Sequence, residues 1–368
     1  MALHLVKPER KIKEELEHVP DSMNACLFYG PHDIRFENVP VPQINENEIL
    51  IKVKAALTCG TNLKTYQRSH PILVRSIPST FGHQFAGVVV EAEENIKDFY
   101  PAQRVVSLNS APCFKCTYCI KEKFSLCENI NFLNGAYAEY VAVPEAIVRH
   151  NTYQITKSTS FEFAAALEGL SVVVHGLECS EITSNKTVCI IGTGSIGLMF
   201  CALSKLNGAK VISIGRKDFK LDIAKKLGAD HTLNLTNYSN PDELIKVIHD
   251  LSGGGPEIVI EAVGLPHLWE LATRIVSKGG LVNFFGGCKK GTKVELDTYR
   301  LHYEEIKLIG VFHHTPKHVQ IAFNLLINPG FQEKVLRNII THSVLLKDLE
   351  KAFLMMESGE AIQVAVKP

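Results

Sequence analysis

The stretch KTVCIIGTGSIGLMFCALSKLNG, residues 186–208, decides the fold. From Val188 to Ile191 it is apolar without interruption. A short run of that kind, closed by glycine, reads as a strand buried on both faces. Gly192, Gly194 and Gly197 then follow in the spacing G-x-G-x-x-G, with Ser195 and Ile196 between the last two. The first glycine permits a tight turn and the second lets the backbone approach a pyrophosphate. The third lets the next helix pack closely on the strand. Ser195 opens that helix, whose N-terminal N–H groups attract an anion. The spacing alone is a weak signal. The strand before it and the helix after it make it a dinucleotide-binding turn.

Downstream the alternation continues. KVISI reads as a strand, and FKLDIAKKLG as a helix stopped by Gly228. PEIVIEAVG, GGLVNFFGG and EIKLIGVF read as further strands. This βαβ rhythm predicts a Rossmann-type α/β unit, a doubly wound parallel sheet with helices on both faces. The end of its second strand bears on the cofactor. An NAD-binding unit places a carboxylate there for the ribose 2′-OH. Gly215, Arg216 and Lys217 stand in that place instead. A guanidinium suits a 2′-phosphate through paired hydrogen bonds, so NADP is expected, with NAD the alternative. Asp218 is the nearest acid, and it reads as the N-cap of FKLDIAKKLG.

Upstream, FEFAAALEGLSVVVHGLE reads as one long connecting helix. From Met23 to about Val143 the segments ACLFYG, IRFENV, ILIKVKAAL, AGVVVEA and RVVSL are short, β-rich and broken by Pro, Gly and Asn. They predict an all-β, barrel-like region. Two helical stretches in the tail, VQIAFNLLIN and LEKAFLMMES, are expected to return to it. The expected division is an N-terminal arm over 1–22, a β-domain over 23–167 and 312–368, and a dinucleotide-binding domain over 168–311.

Composition agrees with a two-domain enzyme. The chain has 368 residues, too many for one ordinary core. Thirty-nine basic residues balance thirty-nine acidic ones, so nucleic acid and anionic membrane are not the expected partners. No apolar run approaches the roughly 18 residues of a membrane span, and the charged N-terminus has no secretory apolar core. A cytoplasmic location is the expectation.

Four of the ten cysteines cluster as Cys113-x2-Cys116-x2-Cys119-x7-Cys127. Four thiolates on one short loop can close a tetrahedral zinc site with no open position, which makes it structural. A catalytic zinc needs three protein ligands and one open position. Cys59, His83 and Glu168 offer one sulfur, one nitrogen and one oxygen. Each alone is equally readable as packing.

At these residues the chain resembles the zinc-containing medium-chain dehydrogenase/reductase family, nearest to its sugar, polyol and threonine dehydrogenase branch. The resemblance runs from about residue 23 onward. It is carried by Cys59-Gly60-Thr61, Gly82-His83, the four-cysteine loop, Glu168 before Val-Val-His-Gly, and the glycine turn at 192–197. It implies a GroES-like β-domain joined to a Rossmann domain. It implies Cys59 and His83 as zinc ligands, with Glu168 binding directly or through water. Thr61 takes the place of the hydroxyl that passes the alcohol proton outward. Val263, Gly264 and Gly286, at the ends of Rossmann strands, are expected to face the dinucleotide. A homodimer or homotetramer is usual in the family.

Three positions depart from the family pattern. Asn62 stands where aspartate is usual, and Gln84 where glutamate usually follows the histidine. Lys64 stands where a histidine often ends the proton relay. The implied activity is hydride transfer between a small polar secondary alcohol and the dinucleotide. A zinc-free reductase of the same superfamily, or a non-catalytic nucleotide-binding relative, are the alternatives. Tyr66, Arg68, His70 and Arg75 fit a polyol or sugar-phosphate pocket and fit a solvated loop equally well.

Overall fold

The computed structural model describes residues 18–70, 73–74 and 76–368. Residues 1–17 of the expected arm, and Arg75, lie outside the described residues.

The apolar runs become the strands of one six-stranded parallel sheet. Its order is His231–Asn234, Lys210–Gly215, Thr187–Ile191, Ile258–Glu261, Leu281–Phe284 and Lys307–Gly310. Val188 pairs with Val211 on one side and Ile258 on the other, so the strand ending in the glycine turn is central. Val188, Cys189, Ile190 and Ile191 are wholly buried, as helices on both faces require. Here α1 denotes Gly60–Arg68, α2 Leu167–Cys179, α3 Ser195–Leu206, α4 Asp218–Lys226 and α5 Leu349–Ser358.

The β-rich region forms two main sheets. Ser22–Gly30 pairs antiparallel with Asp33–Pro40. Ile49–Leu57 pairs with Phe85–Ala92 and with Tyr140–Val143. Phe28, Phe81, Tyr137 and Phe353 form an aromatic core here, with Phe81 and Tyr137 edge to face at 5.0 Å. The tail does return: Gln363–Lys367 adds to Ile49–Leu57, with Ala365 opposite Leu57, and α5 contributes Phe353 to the aromatic core.

Two local expectations need correction. The connecting helix is not continuous. It breaks at Ala166, whose N–H turns back to the Phe163 carbonyl, into Phe161–Ala165 and α2. The break places Glu168 in the first turn of α2, where the helix dipole favours a carboxylate. Asp218 is not an N-cap. Lys217 holds that position, and the Asp218 carboxylate accepts from Asn234 Nδ2 at 2.6 Å. No described helix is long and apolar enough to cross a membrane.

Candidate active site and dinucleotide cleft

Cys59 caps the N-terminus of α1, and His83 follows Gly82 just before the strand Phe85–Ala92. Together with the first turn of α2 these elements converge. Cys59 Sγ lies 3.4 Å from His83 Nε2, and His83 Nε2 lies 4.0 Å from a Glu168 oxygen. Ligands about 2.0–2.3 Å from one tetrahedral zinc lie roughly 3.3–3.8 Å apart, so the Cys59–His83 pair fits a shared ion, while Glu168 stands just beyond direct-ligand spacing, as for a carboxylate that reaches the ion through water or a small movement. All three side chains are buried. Burial alone would lower the His83 pKa, but the facing Cys59 thiol and Glu168 carboxylate raise it to about 9 from its ordinary 6.5. In the metal-free protein a proton on His83 therefore takes the cation's place.

This has a measurable consequence. The proton on His83 stabilises the metal-free fold fully below about pH 6.5, and that stabilisation is lost as pH rises through about 9. Zinc must displace the same proton. Across this window zinc affinity should climb by up to about tenfold per pH unit while metal-free Tm falls. A chelator competition and a melting curve at each pH check both.

Asn62 and Gln84, the two amides, both touch the site. Asn62 Oδ1 accepts from Cys59 Sγ at 3.1 Å, and its Nδ2 lies 3.3 Å from His83 Nδ1. The same amide turned over would serve an ionised Cys59 and an imidazole N–H. Gln84 Nε2 donates to Glu168 at 2.6 Å, and its Oε1 accepts from Gln363 Nε2 at 2.9 Å. Position 84 thus faces the carboxylate of Glu168 rather than away from the site. Cys59 and Glu168 remain the formal anions of the triad.

Gln84→Glu would set a second carboxylate against Glu168. Only a cation relieves that repulsion, so the variant should hold zinc about tenfold more tightly. Its metal-free form should be less stable. The basic limb of the kcat/KM pH profile should move upward. Unchanged chelation kinetics together with an unchanged pH profile would contradict this account of Gln84.

Sulfur atoms of Cys113, Cys116, Cys119 and Cys127 all lie within 4.8 Å of one another. The backbone N–H of Lys115 holds the Cys113 thiol down to about 6, whereas burial pushes Cys119 up to about 12. Four thiolates cannot coexist there at neutral pH without a cation to compensate them. The residues fit a closed structural zinc site.

A cleft of about 390 Å³ runs along the C-terminal ends of the parallel strands. Eight expected residues line it: Gly192, Gly194, Ser195, Ile196, Gly215, Arg216, Lys217 and Val263. Gly197 does not. A Cβ there would sit 1.9 Å from the Gly192 carbonyl oxygen, so its task is helix packing. Gly264 and Gly286 press against each other behind the wall, each without room for a Cβ. The opposite wall comes from Gly60 and Leu63 of α1 and from the tail residues Glu357, Gly359 and Ala361. A larger cleft of about 510 Å³ lies elsewhere, with Arg274 and Arg300 on its wall. Those cations are already paired, with Asp242 and Glu304, and none of the expected site residues lines it.

Gly215 has a second reason to be glycine. A Cβ there would meet Thr193 Oγ1 at 2.5 Å, so any side chain at this position forces Thr193 to move. Gly215→Asp would strain the turn and is a poor test of cofactor choice. Lys220 lines the cleft beside Arg216 and Lys217, and sequence reading passed over it. Its Nζ donates to the Ala361 carbonyl at 2.8 Å. Burial, with help from Lys217 and Arg216, lowers its pKa to about 8.

Thr61 lies in the first turn of α1, two residues beyond Cys59. Lys64 Nζ donates to the Val263 carbonyl at 2.9 Å and reaches the Gly287 carbonyl at 3.4 Å. Burial lowers the Lys64 pKa. Tyr66 lines neither of these clefts. It stacks on Phe353 at 5.2 Å and donates to Glu350 at 2.7 Å.

Sequence reading also missed His313 and His314, which follow the last parallel strand. A ring nitrogen of each lies within 4.8 Å of the other and of a Glu168 oxygen. Burial lowers the His313 pKa to about 3 and holds the His314 pKa well below its ordinary value. The adjacent pair at the C-terminal end of a parallel strand was the available signal.

Two family models match the chain: "Alcohol dehydrogenase GroES-like domain" over residues 45–152 and "Zinc-binding dehydrogenase" over 195–328. An L-threonine 3-dehydrogenase of Bacillus velezensis is 30% identical over 339 residues, covering 90% of this chain and 94% of its own. A sorbitol dehydrogenase of Bacillus subtilis is 26% identical, covering 95% and 98%. Among solved structures, a zinc-binding-dehydrogenase-type chain from Sinorhizobium meliloti 1021, solved with NADP bound, superposes with a TM-score of 0.85. It is 27% identical and covers 95% of this chain and 100% of its own. With this fold and these matches, the chain belongs to the zinc-type medium-chain dehydrogenases, in the branch that holds the sorbitol, threonine and polyol enzymes.

Proposed function

We propose that the chain oxidises a secondary alcohol of a small, polar, polyhydroxylated molecule with NADP as hydride acceptor, and catalyses the reverse reduction. The observation that carries this reading is the convergence of Cys59, His83 and Glu168 beside a cleft that α1 shares with the glycine turn. Zinc held by Cys59, His83 and Glu168 would supply the Lewis acidity that lowers the pKa of an alcohol. The nicotinamide supplies the hydride acceptor.

The protein's own groups do the rest. The glycine turn and the α3 N-terminus hold the pyrophosphate. Arg216, Lys217 and Lys220 gather three cations for the 2′-phosphate. Thr61 accepts the alcohol proton and passes it outward. Lys64, one turn along α1, stands at the outer end of that path. Its contacts with the Val263 and Gly287 carbonyls fix it at the cleft wall. Its lowered pKa eases proton release to solvent. The four-cysteine loop holds a second, structural zinc. Assembly into a homo-oligomer is consistent with Lys307–Gly310 being an edge strand of the parallel sheet, its outer ladder open to a partner.

The test is a dehydrogenase screen over polyols, sugars, amino alcohols and aliphatic alcohols with both dinucleotides. NADP+ should outperform NAD+ in kcat/KM by at least about tenfold, or about 1.4 kcal/mol. Arg216→Ala should remove most of that preference without weakening NAD+. Lys220 adds a pH signature. NADP+ affinity should decline as pH rises through about 8, where Lys220 loses its charge, and Lys220→Met should flatten the decline. Equal kcat/KM for both dinucleotides would refute the NADP assignment. Long-chain aliphatic alcohols winning by an order of magnitude would refute the substrate class.

A further inference from the structure

Glu168 faces two groups of metal-ligating side chains. One is the Cys59–His83 pair. The other is His313 with His314, whose ring nitrogens and a Glu168 oxygen all lie within 4.8 Å of one another. We propose that Glu168, His313 and His314 form a second divalent-cation position in the active site, taking an ion that favours nitrogen and oxygen ligands, such as Mn²⁺. It shares Glu168 with the Cys59–His83 position and rests on the reading of Glu168 as a ligand there.

Three observations support it. The donor set is two imidazoles and one carboxylate with no thiolate, an arrangement that leaves coordination positions open for other ligands. His313 Nε2 pairs with Ser110 Oγ at 2.5 Å, a bond an ion would have to displace, whereas His314 is held more loosely. His314 Nε2 has only Ser110 Oγ and Asn109 Oδ1, both at 3.4 Å, near the outer limit for a hydrogen bond. Finally, His313 is held at φ +62°, a left-handed conformation that non-glycine residues seldom adopt. His175 Nδ1 locks it there by a 2.8 Å contact with the His313 carbonyl. Such strain persists where the surroundings over-determine a residue, and it concentrates at ligand clamps.

Charge ranks the two positions. Cys59 and Glu168 present two anions to the first ion, while the second shares Glu168 and otherwise meets neutral imidazoles. The second position is therefore the weaker. It would fill after the first.

The experiment is a Mn²⁺ titration of the zinc-loaded full-length protein, followed by the electron paramagnetic resonance signal of free Mn²⁺. The wild type should take up about one equivalent per chain. The His313→Leu/His314→Leu double variant should bind Mn²⁺ at least tenfold more weakly. Its unchanged zinc content and Tm would show that it folds. Cys59→Ser should keep the Mn²⁺ equivalent while losing one zinc. Wild-type protein that takes up no Mn²⁺, or a double variant that binds it as tightly as wild type, overturns the proposal. Unchanged zinc content in Cys59→Ser would instead count against the catalytic-zinc reading, and zinc analysis reads that separately.

Discussion

Cys59→Ser is expected to reduce kcat/KM by about a thousandfold or more while the chain still folds. Lewis-acid stabilisation of developing charge is worth several kcal/mol, and each 1.36 kcal/mol is tenfold in rate. Serine keeps the size of the side chain but cannot match a thiolate as a zinc ligand. It also removes one of the two anions facing the ion. The fold should survive because Cys59 caps α1 without a side-chain cap hydrogen bond, and a serine hydroxyl can replace the thiol's contacts with Asn62 and His83. Zinc content should fall by one per chain and Tm should change little. A Cys59→Ser protein with wild-type turnover would remove this site from the mechanism.

Cys116→Ser should behave in the opposite way. The loop from Cys113 to Cys127 has short helical turns and little apolar packing beyond the cysteines themselves, Phe124 and Ile130. Phe114 and Glu122 adopt positive φ, so its path is held against local preference. A metal in such a loop contributes folding free energy directly. Losing one ligand should release the ion and cost several kcal/mol, read as a fall in Tm of roughly 10 °C or more. Residual activity at low temperature should exceed that of Cys59→Ser. Unaltered Tm with one zinc missing would mean that the loop is stabilised by packing alone.

The residues explain how far sequence reading reached. Five of the six parallel strands were legible as short apolar runs with glycine close by, as at Val188 to Gly192, whereas the edge strand His231–Asn234, half polar and without a closing glycine, was not. The candidate metal ligands were legible through residue type: four close cysteines, and a Cys, His and Glu in recognisable surroundings. What escaped depends on long-range placement. Gln84 touches Gln363 across 279 positions of chain, and Lys220 reaches the Ala361 carbonyl across 141. No local pattern encodes such pairs. His313 and His314 gain meaning only when the last parallel strand sets them beside Glu168. Gly215 was read for charge alone, because its collision with Thr193 is a property of two adjacent strands and the turn between them. Tyr66 shows the reverse error: an aromatic in a polar stretch looked like a pocket residue, yet its helix face turns into the aromatic core.

The most direct test of the central claim measures zinc per chain and NADP+ reduction with an active polyol on the same samples. Protein is stripped stepwise with a chelator and then reloaded. Turnover should fall in proportion to loss of the Cys59-dependent zinc, vanish while the four-cysteine zinc remains, and return on reloading. Full turnover in protein that has lost the Cys59-dependent zinc would contradict the account.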